Sequence, residues 1–223
     1  MLKALAVLNT ICLLLVLLCV SVQIPAFNLS FYGAEYDKYN IPAHIQVPRD
    51  ELMTVTRRLI VYMKGEAPDL VVEAGVAGER REFFNQREKD HMVDVKNLIT
   101  GGLLIRNIAA AVIVVSLIAL CLLRLKFLKL FARAVRSVFI VFLIIASALI
   151  AVIASNFDRA FTVFHELFFN NDLWILNPDT DLLVNIVPLG FFMDISATVG
   201  AIFAGLCLAV IAVSIIYNRV SGA

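Results

Sequence analysis

Four long apolar runs constrain this chain more than any other feature of its sequence. A bilayer core of about 30 Å requires roughly 20 apolar residues of helix, and four runs meet that length, the first of them ending before Pro25. Hydrophobic residues make up 61% of the 223 residues, against roughly half in soluble domains. We therefore predict an all-α dominated membrane protein whose four transmembrane helices lie at residues 1–24, 103–123, 137–155 and 195–217.

The charges between the runs predict the orientation of the chain. Residues 124–136 form a short loop that contains basic side chains and no acidic one, and such loops stay in the cytoplasm. Both termini then also lie in the cytoplasm, which places residues 25–102 and 156–194 outside the cell. We expect a small extracellular α(+β) cap between transmembrane helices 1 and 2, and an aromatic-rich interfacial segment between helices 3 and 4.

Composition narrows the classes of function. The formal net charge is +1, so nothing favours nucleic acid as a partner. The cysteines all lie in apolar runs and form no CxxC pair, so neither a metal site nor a disulfide framework is expected. His165 and Glu166 begin like a zinc-binding HExxH motif, but the position of its second histidine is Phe169. No glycine-rich phosphate loop and no nucleophile elbow are present, and we expect no cofactor.

Local patterns predict the elements of the outer segments. Apolar spacing indicates a helix from Arg49 to about Met63, and residues 69–76 are typical of a short strand or an extended segment. Asn85 and Glu88 form a capping-box pattern that predicts the start of another helix.

All three histidines fall in the outer segments. Histidine transfers protons readily near neutral pH. On a helix, His91 has Glu88 one turn before it and Asp94 one turn after it, and either carboxylate could fix the tautomer of the ring. His165 lies within phenylalanines at helical spacing, whereas His44 lies in a proline-flanked loop and is interpreted as an ordinary surface residue. An ordinary interfacial position is the alternative for the other two histidines.

Two stretches of the sequence resemble the motifs of one bacterial family. Residues 87–96 read REKDHMVDVK, and residues 164–178 begin FHELFF and end WILNP, with Asp181, Pro188 and two phenylalanines following. Together they resemble the lipoprotein intramolecular transacylases (Lit), whose layout of four spans and an outer cap matches the whole chain. Asn177 departs from the pattern, because an acid is expected before this proline.

The resemblance implies an enzyme, an acyltransferase that needs no cofactor. It would move the sn-2 acyl chain of a diacylglyceryl lipoprotein to the α-amino group of its N-terminal cysteine, which leaves a lyso-form lipoprotein. It also implies that His91 and His165 are the catalytic acid and base, and we favour His165 as the base. No acyl-enzyme is needed, because donor and acceptor belong to one molecule.

Other residues are expected to assist this reaction. The resemblance and the spacing around His91 give the supporting residues Glu88, Asp94, Arg87 and Lys96. Bulky rings at the interface could form the walls of a substrate site, although an aromatic belt would explain them equally well. The expected substrate-binding residues are Phe164, Phe168, Phe169, Trp174, Phe191, Phe192 and Arg106, the last of which could instead only reach toward the lipid headgroups.

Two other functions remain open from the sequence. A non-catalytic accessory protein, or one that binds lipids or lipoproteins, would also contain a cap and aromatic rings. A metal-dependent membrane hydrolase could use His91, His165 and an acid. In each case the protein is expected in the cell membrane, as a monomer in contact with membrane lipids.

Overall fold

The computed structural model describes residues 2–122 and 127–220, and helices dominate it. The helices are α1 (Leu2–Ala26), α2 (Leu29–Lys38), α3 (Ile41–His44), α4 (Arg49–Met63), α5 (Gln86–Leu122), α6 (Leu128–Ser155), α7 (Phe157–Phe168), α8 (Leu182–Ile186) and α9 (Leu189–Val220), and the strands are β1 (Glu73–Val76) and β2 (Glu79–Glu82).

Four of these helices, α1, α5, α6 and α9, are long and apolar enough to cross a membrane, which confirms the predicted number of spans. Helix α5 has 37 residues, far more than a bilayer requires. Its first four turns contain most of its charged residues, and its apolar part begins only at Leu103. Residues 86–101 therefore precede the membrane-spanning part of α5.

Two helices begin earlier than the sequence indicated. Helix α6 begins at Leu128, so Lys129, Arg133 and Arg136 are helical rather than part of a loop at 124–136. Arg124 and Lys126 lie outside the described residues. Helix α9 begins at Leu189 instead of residue 195. Apolar runs mark the lipid-facing part of a helix, whereas backbone hydrogen bonding continues beyond it. In α6 it continues through lysine and arginine, which favour helix, and in α9 through Leu189–Asp194.

One compact unit contains the apolar parts of the four long helices, namely the chain up to Gln23, Gly102–Asn156 and the chain from Ala197 onward. Its larger apolar cluster joins α1, α6 and α9 through Leu14, Phe139 and Phe203, among others. Many other apolar side chains of these helices are exposed, as expected of surfaces that face lipid.

The second compact unit consists of Ile24–Gly101 and Phe157–Ser196. It thus includes the predicted cap and the predicted interfacial segment, and from here on we call this whole unit the cap. Its core contains Tyr36 and Leu52 from the first segment and Ile186 and Phe191 from the second. The two segments were predicted as separate elements, but their apolar residues form one core. Each segment thus buries apolar surface that neither could cover alone.

Local predictions for the cap agree well with the structure. Helix α4 has the predicted bounds Arg49–Met63. Only the end of residues 69–76 forms a strand, and β1 pairs with β2 as an antiparallel hairpin. Ala77 and Gly78 connect the strands with positive φ angles, as the hairpin twist requires.

The predicted capping box at the start of α5 is confirmed. The Asn85 N–H donates to Glu88 Oε2 at 2.6 Å, and the Glu88 N–H donates to Asn85 Oδ1 at 3.0 Å. Glu88 also accepts a hydrogen bond from the Leu183 N–H, at 2.5 Å from Oε1. One carboxylate therefore joins the starts of α5 and α8, and it fixes the helix turn that precedes His91.

Candidate functional site

The cap brings two of the three histidines together. His91 lies on α5, His165 lies on α7, and their ring centroids are 6.2 Å apart. Each residue is only 7% exposed. At this separation one small polar group could contact both rings. His44, at the end of α3, is exposed.

The tautomer of His165 follows from its hydrogen bond. Its Nδ1 lies 2.7 Å from the carbonyl oxygen of Phe161, one helical turn earlier. A carbonyl oxygen only accepts, so Nδ1 carries the proton and donates it. In the neutral ring the lone pair is then on Nε2, which is the arrangement that a general base requires.

Aromatic rings surround the His165 side chain. The indole of Trp174 stacks on the imidazole with a centroid distance of 4.8 Å and an angle of 29°. Phe161 and Phe164 contact the same ring at 4.2 and 5.4 Å. Phe169 contacts both histidines, at 5.6 Å from His165 and 5.4 Å from His91. These rings cover much of the histidine pair, in agreement with its low exposure.

The carboxylates expected beside His91 bind elsewhere. Glu88 is saturated by backbone N–H groups, and Asp94 accepts a hydrogen bond from Asn171 Nδ2 at 2.9 Å. His91 Nδ1 is buried without a hydrogen-bond partner. The Glu88 carboxylate therefore does not hold the His91 ring, because helix capping uses both of its oxygens.

Burial keeps both histidines uncharged. It lowers the pKa of His91 to about 4, with the nearby His165 acting in the same direction and Asp94 opposing it. Burial also lowers the pKa of His165, although its hydrogen bond to Phe161 opposes the shift. Removal from water disfavours the imidazolium form. At neutral pH both rings are thus free to accept a proton.

This burial predicts that acid destabilises the protein. Unfolded histidine titrates near 6.5, whereas folded His91 titrates at about 4, so the unfolded chain binds more protons between these values. The contribution of the neutral His91 to the free energy of unfolding should be complete above about pH 6.5 and should be lost as the pH drops toward 4. From pH 7 to 5 the loss attributable to His91 is on the order of 2 kcal/mol.

Thermal unfolding in detergent at pH 7 and pH 5 measures this effect. The wild type and the control His44→Gln should show the larger drop in Tm, and His91→Gln a smaller one. Equal drops in Tm for all three proteins would contradict the lowered pKa of His91.

The loop after α7 is fastened to α5 beside the histidines. Asn171 donates to Asp94, and its backbone carbonyl accepts the Trp174 Nε1–H at 3.0 Å. The Arg87 guanidinium donates to the backbone carbonyl of Asp172. These contacts hold the indole against His165. No sequence pattern marks Asn171, whereas Phe161 is predictable as the residue four positions before a helical histidine.

Three other predicted residues pack against neighbouring aromatic rings. Phe168 contacts Phe164, and Phe192 contacts Phe161. Lys96 lies over the ring of Tyr62, 4.3 Å from its centroid.

Two of the predicted substrate-binding residues lie elsewhere. Phe191 belongs to the core of the cap, where it packs on Tyr32. Arg106 belongs to the other compact unit, where it binds Gln23 and Asn107. Side chains of this size are good fillers of a core, so aromatic character alone did not separate Phe191 from the rings around His165.

A buried acid, Asp181, lies close to Pro178 in the structure. Asp181 is 4% exposed, and it accepts hydrogen bonds from the Asn177 N–H and from Asn85 Nδ2, both at 2.7 Å. Its carboxylate joins this loop to the start of α5, so Asp181 supplies the buried acid in this region.

Within residues 2–122 and 127–220, no three His, Cys, Asp or Glu side chains lie close enough together to hold a metal ion.

Comparisons with known proteins agree with this fold. The family model described as lipoprotein intramolecular transacylase Lit matches residues 7–192. No curated protein matches significantly.

Three solved structures of Lit from Bacillus cereus resemble the chain. The first has a TM-score of 0.74 and 22% identity, and the match covers 97% of each chain. A histidine-to-arginine variant has a TM-score of 0.72 and 22% identity, covering 98% of this chain and 93% of that one. A histidine-to-alanine variant has a TM-score of 0.71 and 21% identity, covering 97% and 94%. Because the family model spans most of the sequence, this multi-pass membrane protein belongs to the Lit family of lipoprotein intramolecular transacylases, which are acyltransferases, as the resemblance predicted.

Proposed function

We propose that this chain transfers the sn-2 acyl chain of a diacylglyceryl lipoprotein to the α-amino group of the lipoprotein's N-terminal cysteine. An N–C bond forms between the amine and the acyl carbonyl, and the C–O bond to glycerol breaks. Of the three protons on the starting ammonium, the amide keeps one, the glycerol hydroxyl takes one, and one is released to water. The product is a lyso-form lipoprotein.

One observation supports this proposal above the others. A neutral His165, with its lone pair on Nε2, lies 6.2 Å from a second buried histidine inside a group of aromatic rings. Two neighbouring proton-transfer groups are what an aminolysis of an ester requires, since one proton leaves the amine and another reaches the glycerol oxygen.

We assign the base to His165. Its Nε2 accepts the proton of the attacking nitrogen as the N–C bond forms, and the ring becomes an imidazolium. The stacked indole of Trp174 presents the face of a π-system to this new charge, an arrangement that stabilises cations. Such a contact is stronger in the transition state than in the ground state, which is the condition for catalysis.

His91 is assigned to the oxygen side of the reaction. Its buried, unpartnered Nδ1 is costly in the free protein, and a polar substrate atom would satisfy it. In this role His91 binds the ester oxygen and relays to the departing glycerol oxygen the proton that His165 took from the amine, so both rings end neutral. Since both reacting groups are on one substrate, much of the rate enhancement would come from holding amine and carbonyl together.

The location of the site follows from the charge distribution. With the basic residues around 124–136 in the cytoplasm, both termini lie inside and the cap lies outside the cell. The histidines would then be near the membrane surface, where the cysteine and the ester groups of a lipoprotein lie. We propose that the chain acts as a monomer among membrane lipids.

Mass spectrometry of a model lipoprotein tests this function. The chain would be expressed in a host without other N-acylating activity, and the N-terminal peptide would be analysed. We expect one acyl chain on the amine and one on the glycerol. A diacylglyceryl peptide with a free amine would count against the proposal, and activity that is lost with EDTA and restored by zinc would favour the metal-dependent hydrolase instead.

A further inference from the structure

A polar cavity lies next to the histidine pair. It measures about 170 Å³, and it is lined by six residues of the cap, Asp94, Asn97, Leu98, Phe168, Phe169 and Asn170. A water molecule occupies about 30 Å³ of liquid, so the cavity has room for a few heavy atoms. That space suits the backbone of one amino acid better than a long acyl chain.

The cavity shares a wall with the proposed catalytic site. Phe169 lines it and also contacts the rings of His91 and His165. Asp94 lies one helical turn after His91, near enough to raise the pKa of that histidine. A group bound in the cavity would thus be adjacent to both rings.

Asp94 is the charged residue among the six that line the cavity. Its Oδ2 accepts a hydrogen bond from Asn171 at 2.9 Å, which orients the carboxylate but leaves its charge uncompensated. The nearby Arg87 is engaged with Asp172. Both histidines are neutral at pH 7, so the local charge of the cavity is negative and favours a cation.

We infer that this cavity binds the α-ammonium group of the substrate's N-terminal cysteine, with Asp94 as the counter-ion and the amides of Asn97 and Asn170 as further hydrogen-bonding groups. This inference rests on the proposed function, because it identifies the cation from the substrate of that reaction. A free α-amino group titrates near 8, so the substrate reaches the protein mainly as an ammonium ion. Asp94 is a binding residue in this account, and it brings the amine to His165 instead of orienting His91.

Binding of non-reactive lipopeptides tests the inference independently of catalysis. One ligand would have two ether-linked alkyl chains on the glyceryl thioether, so that no acyl group can move, and a free N-terminal amine. The other would be its desamino analogue, in which hydrogen replaces the amine. At pH 6.5 the wild type should bind the first ligand about tenfold more tightly, as expected for a charge-assisted hydrogen bond.

Asp94→Asn should bind both ligands equally, since the amide keeps the shape of the side chain and its bond to Asn171 but not the charge. Asp90→Asn is the matched control, because Asp90 lies on the same helix, binds Gln86 and does not line the cavity. It should keep the tenfold preference.

Equal binding of both ligands by the wild type, or an undiminished preference in Asp94→Asn, would overturn the inference. Turnover of the matching diacyl ester by the wild type is measured separately. A preference for the amine without turnover would contradict the proposed function and leave the ammonium site in place.

Discussion

Replacement of His165 by glutamine is expected to slow acyl transfer by about 10²–10⁴-fold, the usual contribution of a general base. Glutamine keeps a polar side chain of similar length but cannot take the proton of the attacking amine. Because the loss concerns an interaction that strengthens in the transition state, it should appear in kcat, with KM little changed. The measurement is the initial rate of N-acylation of a diacyl lipopeptide by the purified protein in detergent.

His44→Gln is the matched control for this substitution. It removes a histidine that is exposed and outside the site, so its rate should equal that of the wild type. A His165→Gln protein with the wild-type rate would remove His165 from the mechanism. For a protein with a lowered Tm as well as a lowered rate, the rate would be divided by the folded fraction, because unfolded molecules lower the apparent kcat and leave KM unchanged.

Replacement of Glu88 by alanine is expected to produce a large loss of stability. Glu88 is 1% exposed, and its two oxygens bind the N–H groups of Asn85 and Leu183. Alanine would leave the buried Leu183 donor and the part-buried Asn85 donor unpaired and would open a cavity. Each unpaired buried donor costs roughly 1–3 kcal/mol, so we expect a loss of about 2–5 kcal/mol in total, measured by thermal or urea unfolding.

Glu79→Ala provides the control for Glu88. Glu79 is exposed on β2, and its replacement should change the free energy of unfolding by less than about 0.5 kcal/mol. Equal stability of the two variants would show that the link between α5 and α8 contributes little. Reduced transfer by Glu88→Ala is also expected, since the helix turn that positions His91 would lose its fixed start.

The architecture was largely predictable because its causes are local. Twenty apolar residues in succession have few stable environments other than a bilayer, and a capping box acts within four residues. The helix ends at Leu128 and Leu189 were misplaced because hydropathy reports contact with lipid and does not report backbone hydrogen bonding.

The site was predictable only in part, because its contacts join distant segments. Spacing on α5 put Glu88 and Asp94 near His91, but it could not show that Glu88 binds Leu183, 95 residues away. In the same way, Asp94 binds Asn171 across 77 residues. The tautomer of His165 depends on a contact within one helix turn, and for that reason it could be predicted from the sequence.

Isotope-coded substrates test the central claim, intramolecular acyl transfer, most directly. The purified protein would receive an equal mixture of two diacyl lipopeptides, one with a deuterated sn-2 chain and one with a heavier peptide and an unlabelled chain. Tandem mass spectrometry would locate each chain in the products. The account predicts deuterated chains only on the amine of the lighter peptide, with the sn-1 chain still on glycerol. Chains exchanged between the two peptides, or released as free fatty acid over an unmodified amine, would contradict it.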